Sequence, residues 1–588
     1  MSHAQDSIRQ AMQLAQSGQI VEAISSLRSI LTTHGNDATV HHSLGFLQFQ
    51  TGALEQAMFH FDKARQLDSR NPDFQSDYGT ALNISGHFHD ATAAFRRAVA
   101  LDAKSFPGQL GLSSSLYGSG EYEAAVETAR IASTLAPNRA EPRLNLSLAL
   151  AKSGRTAEAV QSLREALAVI PGHPMLLNQL AINLIDRPEA TPQDIFQAHQ
   201  QLGQTLSANF GGGIRSFNND PSPNRPLNIG YVSSDLKEGP TASFLGPVLA
   251  AHDRGNFRTF CYSVTTNPDA TTERLKSLAW NWKDVLRLSD GPLAQLIISD
   301  RIDVLIDLSG HLPGGRIGAF VSRAAPVQVS WFGYPASTGL KSIGYRLADS
   351  ATDPEGAESL HTEKLIRLDN CFICFQPSAH APDVSPRTDR KAITFASFNA
   401  VRHWSEQTIE TWSAILRGLP GSRLILSGDA LSDEATARRF ADAFSGFGLG
   451  PDRVELRPAG SETDRLAAYG EVDIALDTFP YSGFHSVCEA LDMGVPVITL
   501  TGPAHAGRTG TSILRTIGLE SLAAATTGDY IRIASDLARD PARLNSMRTG
   551  QRARLRNAPL CNAPAFTRQL ESAYREMWRS WGSNLLYT

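Results

Sequence analysis

Small and bulky apolar positions recur along the first third of the chain with a fixed period. Gly18, Gly52, Gly86, Gly120 and Gly154 stand 34 residues apart. Five residues after each glycine comes Ala23, Ala57, Ala91, Ala125 or Ala159. Nine after stands Leu27, Phe61, Phe95, Ala129 or Leu163, and twelve after stands Ile30, Ala64, Ala98, Ala132 or Ala166. Each unit reads as two short helices. The glycine ends the first helix and permits the turn. The alanines let the second helix approach the first, and the plus-nine side chain fills the groove between neighbours. Pro72 and Pro174, at plus twenty, mark points between units where a helix must stop. Four equal intervals predict a stack of five units over residues 4–173, with Met175–Ile185 opening an atypical capping helix.

Beyond GGGIRSFNNDPSPNRP (Gly211–Pro226), which reads as a linker, the pattern changes. Apolar runs now end in polar, glycine-bearing turns: LNIGYVSSDL (Leu227–Leu236), FRTFCYSV (Phe257–Val264), RIDVLIDLSGHLPGG (Arg301–Gly315) and APVQVSWFGYPASTG (Ala325–Gly339). Helical patterns lie between them, so a parallel sheet is expected. After a proline-rich break, Gln376–Arg390, the alternation restarts. The new strands are Ala392–Asn399, Ser422–Asp429, Arg453–Gly460, Val472–Thr478 and Val495–Gly502. A closing helix is expected over Phe566–Trp578. The reading is a solenoid at 1–207 with capping helices, a linker at 208–226, and two Rossmann-like halves at 227–380 and 381–588. One cleft lies between the halves. Neither half shows GxGxxG or GxxxxGK[ST] after its first strand, which argues against dehydrogenases and P-loop enzymes.

Composition narrows the picture little. The chain has 588 residues, a formal net charge of −5, 42% hydrophobic and 19% charged residues. No global basic field points to nucleic acid. No apolar run reaches the roughly 18 residues of a membrane span, and the polar N-terminus carries no secretory core, so a cytoplasmic protein is expected. Five scattered cysteines fit a reducing compartment. Cys371-Phe372-Ile373-Cys374, a lone CxxC, reads as a buried strand rather than a metal or redox site.

The 34-residue period resembles tetratricopeptide repeats. Followed by LNIGYVSSD, DLSGH, APVQVSWFGYPASTG, FASFN, LDTFPYSG, CEALDMGVPVITLTG and HAGR, it resembles the O-linked N-acetylglucosamine transferase and SPINDLY-like family. The resemblance implies an α-solenoid followed by an α/β GT-B fold, with the first Rossmann-like half on the acceptor side and the second on the nucleotide-sugar side. It implies an inverting transfer of a sugar to Ser or Thr of a protein, with neither metal nor cofactor.

The residues agree with such chemistry. A leaving phosphate needs donors where charge develops, and a helix N-terminus supplies them. The loop Gly483–Ser486 opens a helix; His485 and Ser486 add side-chain donors. Glu489, one turn on, is placed to accept from ribose hydroxyls. Arg508 offers a fixed charge that could replace a metal. On the acceptor side, His311 of DLSGH, Asp235 and Tyr334 are the catalytic candidates. Tyr334 and Pro335 shape the floor of the cleft, and Asp307 reads as a cap of backbone groups.

The chain departs from the family in places that the resemblance makes informative. Gly239 stands where many members carry a histidine. His403 stands at the position of a lysine that binds the donor diphosphate, with Arg402 beside it and Ala400 replacing an amide. Phe484-His485-Ser486 replaces a histidine-threonine-threonine triplet, and Glu462 falls near a uridine-binding lysine. Less positive charge suits a one-phosphate donor, and Glu462 could accept from a cytosine amino group. This leans to a CMP-nonulosonate donor with flagellin as the acceptor held by the repeats. UDP-N-acetylglucosamine is the alternative donor. A catalytically decayed repeat adaptor is the alternative of another class. The sequence does not pick the general base, and self-association is left open.

Overall fold

A computed structural model describes residues 3–34, 37–210, 216–386 and 392–585. Positions 211–215 of the expected linker and 387–390 of the expected break lie outside the described residues. The chain divides into two compact units, Met1–Leu176 and Leu177–Thr588. No helix among the described residues is long and apolar enough to cross a membrane.

The first unit is a run of helix pairs, from His3–Gln16 with Ile20–His34 to Ala140–Lys152 with Thr156–Val169. All five periodic glycines hold φ between 78° and 88°, the left-handed region that closes each intra-pair turn. Ala23, Ala57, Ala91, Ala125 and Ala159 are fully buried. The plus-nine side chains fill the grooves as expected, and glycines on the neighbouring helices make room for them. A Cβ on Gly111 would come within 2.1 Å of the Phe95 ring, and one on Gly45 within 2.7 Å of Phe61. The prolines differ from expectation. Pro72 and Pro174 open the helices Pro72–Ile84 and Pro174–Leu184 rather than standing between units. At the first helical position the missing N–H has no partner to lose, and Asn71 caps the next N–H groups.

The unit boundary falls inside the helix Pro174–Leu184. The residues from Leu177 onward and the helix Pro192–Phe210, expected as solenoid caps, therefore belong to the second unit. Asn178 donates to the His311 carbonyl at 3.1 Å. Gly203 packs so tightly that a Cβ there would lie 2.0 Å from the Gly339 carbonyl oxygen.

The second unit contains two parallel sheets. The first is built from β1 (Leu227–Ser233), β2 (Phe257–Ser263), β3 (Asn281–Asp284), β4 (Val304–Asp307), β5 (Val327–Ser330), β6 (Tyr345–Asp349) and β7 (Lys364–Leu368). The second contains β8 (Thr394–Ser397), β9 (Arg423–Gly428), β10 (Val454–Pro458), β11 (Ile474–Leu476), β12 (Val497–Leu500) and β13 (Ala523–Ala524). Their orders are β3-β2-β1-β4-β5-β6-β7 and β10-β9-β8-β11-β12-β13. Each sheet is thus doubly wound. Its switch points lie between β1 and β4 and between β8 and β11, where open α/β sheets bind ligands.

Four strands escaped the sequence pattern. β3 is an exposed, charged edge, β13 has only two residues, β7 is half polar, and β6 carries Arg346. Arg346 is fully buried because its guanidinium donates to the carbonyls of Tyr334 and Ala336, both at 2.8 Å, fixing the loop after β5. The CxxC segment is buried but forms no strand; Cys371 and Cys374 are free thiols pushed up to about 12 by burial. The closing helix, Ala563–Leu585, follows the second half in sequence yet covers the first sheet. Its Glu571 accepts from His252 Nδ1 at 2.9 Å, and Tyr574 meets Tyr231, hydroxyl to hydroxyl, at 3.3 Å.

Candidate active site

The two switch points open onto one cleft of about 550 Å³. Ser234 and Asp235 follow β1, and Leu308 and Ser309 follow β4. From the other sheet come Phe398, Asn399, Ala400 and His403 after β8, and Tyr481 to Ser486 after β11, Ser482 excepted. Glu462, Arg465 and Glu489 complete the wall on the side of the second sheet.

Asp477 organises this wall. Its buried carboxylate accepts from the Asn399 amide at 3.0 Å, the Gly483 N–H at 2.9 Å, the Ser482 hydroxyl at 2.5 Å and the Thr499 hydroxyl at 2.7 Å. Burial pushes its carboxyl up even against those four donors. Asn399 then accepts from the Ser486 hydroxyl. Gly483 must be glycine, because a Cβ would sit 2.0 Å from Asn399 Oδ1 and 2.5 Å from Ser486 Oγ. The result is a fixed entry to the helix Phe484–Asp492, whose first N–H groups have no intrahelical acceptor.

His485 and Glu489 share one face of that helix, with Nδ1 and Oε2 3.7 Å apart. Burial lowers the imidazole. Glu489 is clasped by Arg465, which donates from Nε at 3.0 Å and Nη2 at 2.7 Å. Burial would raise the Glu489 carboxyl, but His485 and Arg465 outweigh it and hold it ionised. Glu489, expected to accept from ribose hydroxyls, lines the cleft with each of its oxygens already accepting one bond from Arg465. Arg465 itself escaped the sequence reading, although its place one helical turn after Glu462 put it on the same wall.

Asp235 lines the opposite side, and burial raises its carboxyl. Gly239 has φ of 145°, a backbone state that favours glycine. A Cβ there would lie 3.8 Å from Asp235 Oδ2.

Four candidates lie outside the cleft lining. His311 is buried and donates from Nε2 to the Thr338 carbonyl at 2.7 Å. Tyr334 is buried and donates to His199 Nε2 at 2.7 Å. Burial takes His199 down to about 3 and lowers His311, so this trio is a neutral structural cluster rather than a proton relay at the cleft. Arg508 spends its guanidinium on the carbonyls of Ala351, at 2.7 Å, and Gly502, at 3.0 Å. Arg402 turns away to Asp186. Asp307 plays the capping part read for it, accepting from the N–H groups of Ser309 and Gly310 at 3.1 and 2.9 Å. Among the described residues no three of His, Cys, Asp and Glu are grouped to hold a metal ion.

The profile of glycosyl transferase family 41 matches residues 213–381 and 384–570, and a tetratricopeptide-repeat profile matches 110–174. The chain belongs to glycosyl transferase family 41. A solved structure of a mutant O-GlcNAc transferase from Thermobaculum terrenum superposes with a TM-score of 0.82 at 34% identity, covering 87% of this chain and 98% of that one. The probable UDP-N-acetylglucosamine–peptide N-acetylglucosaminyltransferase SPINDLY of Solanum lycopersicum is 37% identical over 407 residues, 68% of this chain and 43% of its own length. The corresponding SEC protein of Arabidopsis thaliana is 29% identical over 364 residues, 60% of this chain and 37% of its own. The chain thus spans less than half the length of these curated relatives.

Proposed function

We propose that the chain transfers a sugar from a nucleotide-activated donor to a Ser or Thr hydroxyl of a protein, with inversion and without a metal. The carrying observation is the convergence of both switch points on one cleft, with the Asp477-ordered entry of helix Phe484–Asp492 on one wall and Asp235 on the other. The helix entry offers N–H groups to the leaving phosphate. Asp235 receives the acceptor proton; the acceptor oxygen bonds to the anomeric carbon; the bond from that carbon to the phosphate oxygen breaks, leaving its electron pair on the nucleotide. Burial raises the Asp235 carboxyl, which makes it a stronger proton acceptor than an exposed aspartate. The repeats supply a surface for the protein acceptor.

The names of the relatives support UDP-N-acetylglucosamine as the donor. One observation favours a second reading, a one-phosphate donor such as a CMP-nonulosonate. Asp235, Glu238, Asp429, Glu462 and Glu489 line the cleft, and its guanidinium, Arg465, is already held by Glu489. Two phosphates find little compensating charge there.

The test is thermal unfolding with UDP, CMP and their sugar conjugates, followed by intact-mass analysis of protein acceptors, flagellin among them. A ligand at 100 times its dissociation constant stabilises by about 2.7 kcal/mol. The nucleotide that shifts the transition names the donor class, and the mass increment names the sugar. No shift and no transfer with any donor would overturn the reading and return the decayed adaptor.

A further inference from the structure

A second cavity, of about 250 Å³, lies within the second unit and shares no lining residue with the cleft. Its walls come from the helix Pro192–Phe210 and from the segments that follow β5, β6 and β12. They are mostly apolar, with Ile195, Phe196 and Leu360 beside the stiff rings of Pro335, Pro354 and Pro503. One polar group interrupts them. Asp353 accepts from His361 Nε2 at 3.0 Å through Oδ1 and from His505 Nδ1 at 2.6 Å through Oδ2. The aspartate side chain is 2% exposed and each imidazole 4%.

The arrangement fixes what the cavity offers. Burial would raise the Asp353 carboxyl, but His505 and the hydrogen bonds from both rings outweigh it and hold it ionised. An ionised carboxylate only accepts, so His505 must carry its proton on Nδ1. Burial lowers the His505 imidazole against the pull of Asp353, so the ring is neutral and Nε2 keeps its lone pair. That nitrogen has no hydrogen-bond partner among the described residues. His361 Nδ1 is likewise buried without a partner. The other buried polar side chains of the lining are already paired. His199 is held by the Ile195 carbonyl and Tyr334, Ser337 donates to Glu363, and Thr352 donates to the Asp349 carbonyl.

We propose that this cavity is a second ligand site, which binds a small uncharged molecule with an apolar body and one N–H or O–H group donated to His505 Nε2. It does not rest on the nucleotide-sugar reading. A buried acceptor left unmade is costly, and a donor from the ligand relieves it. An anion is disfavoured because the charged groups of the lining are Asp353 and Glu355, and no lysine or arginine is among the described residues there. A cation would lose its water to mostly apolar walls and find Asp353 already shared by two imidazoles. Size narrows the class further. An apolar cavity of roughly 150 Å³ holds one benzene ring, so the space here suits a fused pair of rings.

The experiment is ligand-observed magnetic resonance titration of the full chain with indole, which has one N–H donor and no charge. Benzofuran is the control of the same shape with an acceptor in place of the donor. Indole should bind at sub-millimolar concentration, benzofuran about tenfold more weakly, and the anion indole-3-carboxylate more weakly than either. Ala504→Leu, which fills the cavity from its wall, should abolish indole binding. His505→Phe should bind indole and benzofuran alike, an outcome that general loosening of the fold does not produce. If His505→Phe does not fold, the wild-type pair and Ala504→Leu still decide the question. No binding of indole, equal binding of indole and benzofuran to the wild type, or unchanged binding to Ala504→Leu overturns the proposal. Displacement of indole by UDP or CMP also overturns it, by placing indole in the cleft. Failure of the nucleotides to bind at all would overturn the function proposed above and leave this site standing.

Discussion

The Asn399 side-chain amide donates to Asp477 Oδ1 at 3.0 Å, joining the loops that leave β8 and β11 on either side of the second sheet's switch point. That bond makes two crossing loops into one wall. Gly483 and Ser486 then hang from the same pair.

Gly483→Ala places a methyl group against Asn399 and Ser486, so the wall must open. Nucleotide affinity should fall at least about tenfold and the melting temperature should fall with it, because the methyl group forces apart a buried hydrogen-bond network. Calorimetry and thermal unfolding on the same preparation check this.

Arg465→Met strips Glu489 of its clasp and should cost about 2 kcal/mol in denaturant unfolding, a value reduced because the arginine is one-third exposed. Glu489 is held below the ordinary carboxylate range, so its contribution is present at neutral pH and is lost as pH falls through its folded value. Arg465→Met should flatten that acid loss. The double variant with Glu489→Gln should recover part of the cost.

Asp235→Asn keeps the shape of the cleft and removes the carboxylate. Under the proposed mechanism kcat should fall about a hundredfold or more with nucleotide affinity unchanged. Equal losses in kcat and in binding would assign Asp235 to the donor instead.

Burial raises the Asp307 carboxyl to about 6, so the folded state binds its proton more tightly than the unfolded chain does. Stability from this group is complete below about pH 4 and is lost as pH rises toward 6. Asp307→Asn should remove that slope, as measured by denaturant midpoints across the range.

Phe95→Ala empties the groove against Gly79 and Gly111 and should cost the repeat unit about 3–5 kcal/mol. Nucleotide binding should be untouched, since its groups lie in the second unit, while modification of a protein acceptor should decline. Parallel binding and transfer assays separate the two.

Much of this protein was legible in its residues. The five glycines at a 34-residue spacing determined the helix pairs, because a left-handed turn and a close helix approach are local demands that only small side chains meet. Apolar runs ending in polar turns placed most strands, and the loop Gly483–Ser486 was visible as a helix entry. What the chain order could not show were partnerships made by packing. Asp186 meets residues 216 and 217 positions away, Arg465 closes on Glu489 from another helix, and His311 and Arg508, polar residues on glycine-rich loops, turn inward to carbonyls. Spacing reports the conformation a segment requires. Which side chain faces the cleft, and which is consumed in holding it open, was decided only when two sheets and a closing helix came together around it.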